Sequence, residues 1–110
     1  MGLAKTEIFT EEQNSIAQYG KVFGHPARVA ILQHLFEIDT CICGDLVLEI
    51  GLAQPTISQH LRELKLLGLI RGEVEGTRVC YCIHRENWLK MKAVVLPFLN
   101  RDKQTAPQCC

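Results

Sequence analysis

Hydrophobic residues recur at intervals of three or four along most of the chain, which is the pattern of amphipathic helices. Thr10 can cap the first helix, and Gln13, three residues later, completes a capping box. Gly24 is suited to end this helix because glycine readily adopts the left-handed conformation. The apolar stripe of the helix comprises Ile16, Tyr19 and Phe23. The pattern therefore predicts a first helix that ends near Phe23.

A second predicted helix begins at Pro26, because proline is tolerated in the first helical turn. The polar pair at residues 39–40 ends it. We interpret His25 as a cap, and Arg28 and His34 as solvated or rim residues. The predicted buried side of this helix comprises Val29, Leu32, Leu35 and Phe36.

Two further helices follow at close spacing. The third is predicted from about Cys43 to Ile50, with Leu46 and Ile50 facing inward, and Gly51 is its left-handed stop. Residues 52–54 form a tight turn into a fourth helix. A helix, a three-residue turn and a second helix form the helix-turn-helix arrangement, whose second helix enters the major groove of DNA.

The fourth helix, over residues 54–65, is the stretch around which the chain is organised. Pro55 suits its first turn. Its apolar stripe comprises Ile57, Leu61 and Leu64. The other side chains are amides, hydroxyls and cations, which hydrogen-bond base edges and phosphates. The candidate DNA contacts on this helix are Gln54, Thr56, Ser58, Gln59, His60, Arg62 and Lys65. Taken alone, the pattern is also that of an ordinary amphipathic surface helix.

After Gly68 the hydrophobic period changes from 3.6 to 2, which indicates strands. Residues 69–74 and 78–83 are predicted to form a hairpin, joined by residues 75–77 with Gly76 at the turn. A hairpin that directly follows a helix-turn-helix is a wing. We expect Thr77 and Arg78 at its tip to contact the DNA backbone or minor groove, and the alternative for Arg78 is a solvated charge.

The last predicted helix runs from about Glu86 to Leu96, and Pro97 should end or kink it. Its apolar stripe exceeds what a small domain can cover. With the first helix it is therefore a candidate dimer surface, and core packing within one chain is the alternative. The candidate dimer residues are Ile16, Tyr19, Phe23, Trp88, Met91 and Val95.

These patterns define the expected fold class. It is mainly α with a small β-hairpin: a homodimeric winged helix-turn-helix in the order of four helices, two strands and one helix. We predict one DNA-binding and dimerisation domain over residues 1–100 and a flexible tail over residues 101–110.

Composition narrows the function classes. The 110 residues carry no net charge, but residues 1–53 hold seven acidic and three basic residues, and residues 54–110 hold nine basic and five acidic ones. Cations thus gather with the fourth helix, although a mixed solvated surface explains this equally well. No membrane span or secretory signal is apparent, which favours a cytoplasmic protein with reduced cysteines. No nucleophile–base pair, phosphate loop or carboxylate dyad appears, so we expect no enzyme.

Three motifs carry a resemblance to the arsenic-repressor (ArsR/SmtB-type) family of winged-helix regulators, over about residues 15–100. Residues 24–32 (GHPARVAIL) are similar to the family's opening helix motif, with His25 where an acid is commoner. Residues 54–61 (QPTISQHL) resemble its recognition helix, with Ala53 in place of a frequent capping serine. Residues 64–70 (LKLLGLI), followed by EGTR at 75–78, resemble the passage into the wing. The resemblance implies a homodimer that represses an operon from an inverted-repeat operator and is released by an inducer.

Cys41 and Cys43 are the clearest chemical signal, because two thiolates at the start of a helix can converge on one soft ion. The resemblance implies binding of trivalent arsenic or antimony, although Gly44 is inserted and Val47 stands where a third thiol is usual. The candidate third ligands are Cys80, Cys82, Cys109 and Cys110. Alternatives are zinc or another thiophilic metal, a redox switch, or simple packing. The histidines of the family's zinc site on the last helix are missing.

A thiol-based metal carrier or oxidoreductase is a function of a different class. It would leave the wing and the recognition helix unused, and no Cys-x2-Cys accompanies a βαβ pattern. DNA binding itself requires no cofactor.

Overall fold

A helical body with one β-hairpin makes up the part of the chain that the computed structural model describes, which is residues 8–38, 41, 46–76 and 78–101. The elements are α1 (Glu11–Val22), α2 (Pro26–Ile38), α3 (Leu46–Ile50), α4 (Gln54–Leu66), β1 (Ile70–Glu75), β2 (Arg78–Ile83) and α5 (Arg85–Leu99). This order confirms the predicted fold class of four helices, a two-stranded hairpin and a last helix, and the homodimer stays a prediction. Within these ranges, no helix is both long enough and apolar enough to cross a bilayer.

Short-range signals set the ends of α1 and α2. The Thr10 side chain accepts from the Gln13 amide at 3.0 Å, and the Gln13 side chain accepts from the Thr10 amide at 2.9 Å. This reciprocal pair is the predicted capping box, which satisfies two otherwise orphaned donors. His25 Nδ1 accepts from the Ala27 amide at 3.1 Å, which confirms His25 as a cap.

The turn from α3 to α4 is made at Gly51, whose φ of +84° strongly favours glycine. Helix α3 is described over Leu46–Ile50; its predicted start near Cys43 lies among residues 42–45, outside the described part of the chain. Ala53 caps α4 in an extended conformation without a side-chain hydrogen bond, and Pro55 lies in the first turn as predicted.

The core lies where α2, α4, the hairpin and α5 meet. Its fully buried members include Ile31, Leu35, Ile57, Leu64, Leu69 and Ile70. Leu61 is also buried, so the predicted apolar stripe of α4 is confirmed. The prediction for α2 was partly wrong, because Phe36 is 37% exposed and Val29 is only half-buried. Ala27 and Ile31 are buried instead, since the stripe of α2 repeats every four residues toward Leu35.

The wing is a two-stranded antiparallel hairpin turned at Gly76, whose φ is +62°. Its register pairs Ile70 with Ile83. The same register pairs Arg71 with Cys82, Gly72 with Tyr81, and Glu73 with Cys80. Because side chains alternate along a strand and opposed residues share a face, Arg71, Glu73, Cys80 and Cys82 lie together. We call these four residues the thiol face of the hairpin.

Helix α5 departs from the sequence prediction at its end. It runs to Leu99 with Pro97 inside it. Pro97 has no amide hydrogen to donate within the helix, but the final turn is still closed by the Asn100 amide, which donates to the Leu96 carbonyl at 2.8 Å. His84 caps the start of α5, because its Nδ1 accepts from the Asn87 amide at 3.2 Å.

Asn87 also ties α5 to the end of α4. Its Nδ2 donates to the Gly68 carbonyl at 2.9 Å. Gly68 has a φ of +78°, and a Cβ there would lie 2.8 Å from Asn87 Nδ2. Glycine is therefore needed at this junction both for its backbone conformation and for the close approach of the asparagine.

Helices α1 and α5 pack together and leave apolar side chains in solvent. The Trp88 ring contacts Phe36 at 4.7 Å and Phe23 at 6.2 Å between centroids. Met91 is 4% exposed and packs in the core of this chain, which is the alternative stated for the apolar stripe of α5, and its place on a dimer surface stays a prediction. The large apolar residues exposed on α5 are Leu89, Leu96, Phe98 and Leu99.

Leu64 and Leu66 on α4 offer a matched test of the core. Leu64 is fully buried and Leu66 is 76% exposed. We expect Leu64→Ala to lower the free energy of unfolding by about 2–5 kcal/mol, because it removes buried methyl groups and leaves a cavity. Leu66→Ala should change it by less than about 0.5 kcal/mol. Denaturant unfolding followed by circular dichroism measures both, and equal losses would contradict the rotation of α4 described above.

Candidate functional site

The exposed side of α4 carries the polar residues that the sequence singled out. Arg62 and Lys65 project from the same helix whose opposite side is buried. Two short contacts order this surface, since Gln54 Nε2 donates to Ser58 Oγ at 3.0 Å and Gln59 Nε2 to Glu63 Oε1 at 3.4 Å. The exposed residues are Gln54, Thr56, Ser58, Gln59, Arg62 and Lys65. This surface offers amide, hydroxyl and cationic groups to a polyanion.

His60 is placed differently from the other candidates on α4. It is 6% exposed, and Arg28 Nε donates to its Nδ1 at 3.2 Å. The His25 ring lies 4.3 Å away between centroids. Nδ1 therefore acts as an acceptor, which requires the neutral imidazole. This contact joins α4 to α2, and it argues against the predicted base contact by His60.

Burial lowers the pKa of His60 below its usual value, and the nearby His25 and Arg28 lower it further. Glu63 on α4 acts in the opposite direction. The neutral form is favoured because a charged imidazole would lose hydration and face the Arg28 cation. His60 thus packs α4 onto α2 as an uncharged acceptor.

The wing tip lies only partly within the described residues. Thr77 falls outside them, and so does the side chain of Arg78. The backbone of Arg78 begins β2 opposite Glu75. The predicted contacts of Thr77 and Arg78 with DNA remain predictions.

A pair of cysteines joins the segment after α2 to the wing. Cys41 and Cys82 form a disulfide, with their Cα atoms 4.3 Å apart. Cys82 is buried and Cys41 half-buried, and Cys80 is fully buried two residues along on the thiol face. Of the candidate thiol ligands, the structure therefore brings Cys41 and Cys82 together. Cys43, Cys109 and Cys110 lie outside the described residues.

Two charged residues complete the surroundings of these sulfurs. Arg71 Nε donates to Cys82 Sγ at 3.3 Å, and its guanidinium pairs with Glu73 at 3.4 Å. Ligand atoms of Cys41, Glu73 and Cys82 all lie within 4.8 Å of one another. Once the disulfide is reduced, two thiolates and a carboxylate oxygen this close together can bind a metal ion. We call Cys41, Glu73 and Cys82 the thiol–carboxylate group.

Sequence reasoning missed Arg71 and Glu73. Their signal was the strand alternation itself, because a hairpin turned at Gly76 places residues 71 and 73 opposite the two cysteines of β2. A cavity of about 320 Å³ opens beside the group. Its lining residues are Leu35, Cys41, Arg71, Cys82, Ile83, His84, Arg85 and Glu86.

The other face of the hairpin lies against α4. Val79 and Tyr81 line a second cavity together with Gln54, Ile57 and Ser58. A Cβ at Gly72 would lie 3.4 Å from Lys65 Nζ and 3.2 Å from a Val79 methyl. The hairpin therefore lies between the thiol–carboxylate group and α4. A displacement of the hairpin would change the contacts of both.

Residues 25–71 match the model of the bacterial regulatory proteins of the arsR family. An uncharacterised HTH-type transcriptional regulator of Methanocaldococcus jannaschii is 39% identical over 66% of this chain and 82% of its own length. The HTH-type transcriptional repressor SmtB of Mycobacterium tuberculosis is 41% identical, over 51% of this chain and 41% of its own length.

Solved structures show the same architecture. The crystal structure of Rv0081 from M. tuberculosis aligns with a TM-score of 0.65 at 26% identity, over 84% of this chain and 93% of that one. The cadmium metal-sensor CmtR from M. tuberculosis aligns with a TM-score of 0.52 at 27% identity, over 84% and 97%. A homodimeric winged helix-turn-helix domain from Mycobacterium bovis aligns with a TM-score of 0.62 at 21% identity, over 99% of each chain.

The environment of His60 predicts a loss of stability in mild acid. Its pKa is lowered on folding, so the unfolded chain binds the proton more readily as pH falls below about 6.5. The free energy of unfolding should therefore fall as pH drops through this window, and be fully recovered above it. His60→Gln keeps an acceptor for Arg28 and should show a smaller loss between about pH 7.5 and about pH 5.5.

The control for this test is His34→Gln, a half-buried histidine on α2 outside the contact with Arg28. Denaturant unfolding at both pH values measures each variant. If His60→Gln loses as much stability in acid as the parent chain, the titration of His60 does not contribute.

Proposed function

Because this chain belongs to the arsR family of bacterial regulatory proteins, which are DNA-binding regulators of transcription, we propose that it is a repressor released from its operator by a soft metal or metalloid ion. Cysteine thiolates bind this ion, and trivalent arsenic and antimony are among the candidate inducers. The observation that carries the proposal is the contact between the side chains of Cys41 and Cys82. This contact joins the segment before the helix-turn-helix to the wing that follows it.

In the DNA-bound state, α4 lies in the major groove. Arg62 and Lys65 neutralise phosphates, and the shorter polar residues near the start of the helix read base edges. Their exposure on one side of α4 supports this assignment. Thr77 and Arg78 at the wing tip contact the adjacent backbone. An inverted repeat is read by two copies of α4, about one helical turn apart.

The second copy comes from dimerisation through α1 and α5. Phe23 and Leu96 are 37% and 42% exposed on these helices. Large apolar side chains left in solvent on two packed helices favour burial against another apolar surface. An isologous contact would bury the same residues twice. The predicted dimer residues that remain at or near this surface are Ile16, Tyr19, Phe23, Trp88 and Val95.

Induction is a difference in affinity between two conformations. An ion bound by the reduced thiolates of Cys41 and Cys82 holds the wing and the segment after α2 in one arrangement. If that arrangement places α4 less well in the groove, ion binding weakens DNA binding by the same factor as DNA weakens ion binding. The naming of CmtR as a cadmium metal-sensor supports a thiophilic ion as the signal for this fold.

A thiol redox switch is the second candidate, and the disulfide between Cys41 and Cys82 favours it. Two thiols and one molecule of peroxide would give the disulfide and two molecules of water. The disulfide would then fix the wing as the ion does. Arsenite and peroxide, tested separately on the reduced protein, distinguish the two signals.

Arg62→Ala tests the DNA-binding surface. We expect the binding free energy for a duplex that the protein selects from random sequences to weaken by about 1–3 kcal/mol. The slope of log affinity against log salt concentration should also fall in magnitude by about one. Fluorescence anisotropy at several salt concentrations measures both quantities. Lys92→Ala, which removes an exposed cation on α5, is the control and should leave affinity nearly unchanged. Unchanged affinity in Arg62→Ala would remove this residue from the interface.

Cys41→Ser tests the sensing site. The variant should bind DNA as tightly as the parent chain, because Cys41 lies outside α4, but it should no longer be released by arsenite, antimonite, cadmium or zinc. The double variant Cys109→Ser, Cys110→Ser is the control and should retain release. If each ion releases Cys41→Ser from DNA at the same concentration that releases the parent chain, the sensing thiols lie elsewhere.

A further inference from the structure

We propose that Glu73 is a metal ligand and that the thiol–carboxylate group therefore selects a divalent thiophilic cation, such as Zn²⁺ or Cd²⁺, over arsenite. The inference rests on the proposed function and assigns the ligand class of the same site. It adds one residue of β1 that the sequence pattern did not single out. The ion binds the reduced pair of Cys41 and Cys82.

The spacing of the three side chains supports this assignment. Their ligand atoms lie within 4.8 Å of one another. Around a tetrahedral zinc ion with Zn–S bonds of about 2.3 Å, two sulfur ligands are about 3.8 Å apart. After reduction of the disulfide, the two sulfurs must separate to this distance and the carboxylate must approach them, and small side-chain movements suffice for both. Glu73 is half-exposed, so its carboxylate can rotate at little cost.

The charges of the site also favour a divalent cation. Two thiolates and one carboxylate carry three negative charges, and Arg71 beside them carries one positive charge. A divalent ion leaves the group neutral. Arsenite arrives as uncharged As(OH)₃ and exchanges each hydroxyl for a thiol sulfur, and the thiol proton leaves with that hydroxyl as water. A carboxylate adds nothing to that reaction, whereas it is an ordinary ligand of zinc.

Arg71 acts as a positioning residue. Its Nε donates to Cys82 Sγ at 3.3 Å, and its other nitrogen pairs with Glu73 at 3.4 Å. One planar guanidinium thus orients a sulfur ligand and an oxygen ligand at once. Contacts of this kind fix the direction of metal ligands and commonly change affinity when they are lost.

The position of Glu73 determines what the ion does to the wing. Glu73 lies on β1 and Cys82 on β2, so one ion cross-links both strands and the segment at Cys41. The opposite face of the hairpin contacts α4 near Gly72 and Tyr81. A divalent ion therefore acts on the whole hairpin, whereas an ion bound by cysteines alone acts on β2.

The test titrates reduced full-length protein, free of oxygen, with Cd²⁺, Zn²⁺ and arsenite in separate experiments. Thiolate-to-cadmium charge-transfer absorption, competition with a chromophoric zinc chelator, and calorimetry for arsenite report binding. Glu73→Gln should weaken Cd²⁺ and Zn²⁺ binding by at least about tenfold and leave arsenite affinity within about twofold. Glu86→Gln is the matched control, because Glu86 is exposed at the same cavity but lies outside the group.

Two results would overturn the inference: unchanged Cd²⁺ and Zn²⁺ affinity in Glu73→Gln, or an equal loss of arsenite affinity. The proposed function fails separately. If none of the three ions releases the parent protein from DNA, the site is no inducer site. If ions release the parent protein while Glu73→Gln binds them all equally well, Glu73 alone is excluded.

Discussion

The burial of Ile57, Leu61 and Leu64 fixes the rotation of α4, and the other features of the protein depend on it. With this stripe against the core, the amides, hydroxyls and cations of the helix emerge together on the opposite side. The contact between Arg28 and His60 adds a polar restraint to the same packing. Because interiors are closely packed, a small rotation of α4 would cost core contacts, so the polar surface is presented in one orientation.

The hairpin extends this arrangement by using both of its faces. One face carries the sulfurs with Arg71 and Glu73, and the other lies against α4 through Tyr81 and Val79. A two-stranded hairpin is marginal by itself and needs packing to hold its shape. Here it is held by Ile70 and Ile83 in the core, near the base of the wing. A ligand bound by the sulfurs on one face and α4 packed on the other face thus both contact the same two-stranded hairpin.

Much of this fold could be predicted from local sequence signals. The capping box at Thr10, the left-handed Gly51 and the change of period after Gly68 depend on neighbours in the chain, and each prediction agrees with the structure. Errors arose where tertiary packing decides. Phe36 was assigned to the buried side of α2 from the stripe, yet its burial depends on which side of that helix the core occupies.

Less of the candidate site could be predicted from the sequence, because its residues are brought together by tertiary packing. Cys41 could be singled out by its spacing from Cys43, but its contact with Cys82 spans 41 residues of chain. The roles of Arg71 and Glu73 follow only from the strand register. His60 resembled its polar neighbours on α4, and its burial becomes visible only once α2 is placed beside it.

The bond from Asn87 to the Gly68 carbonyl couples the end of α4 to the beginning of α5 without a flexible linker. In the proposed dimer, the distance between the two α4 helices therefore depends on how the two α5 helices pair. The pairing of α5 would then determine the spacing of operator half-sites that the dimer recognises. An exchange of α5 between related regulators would change this spacing and leave the base contacts of α4 unaltered.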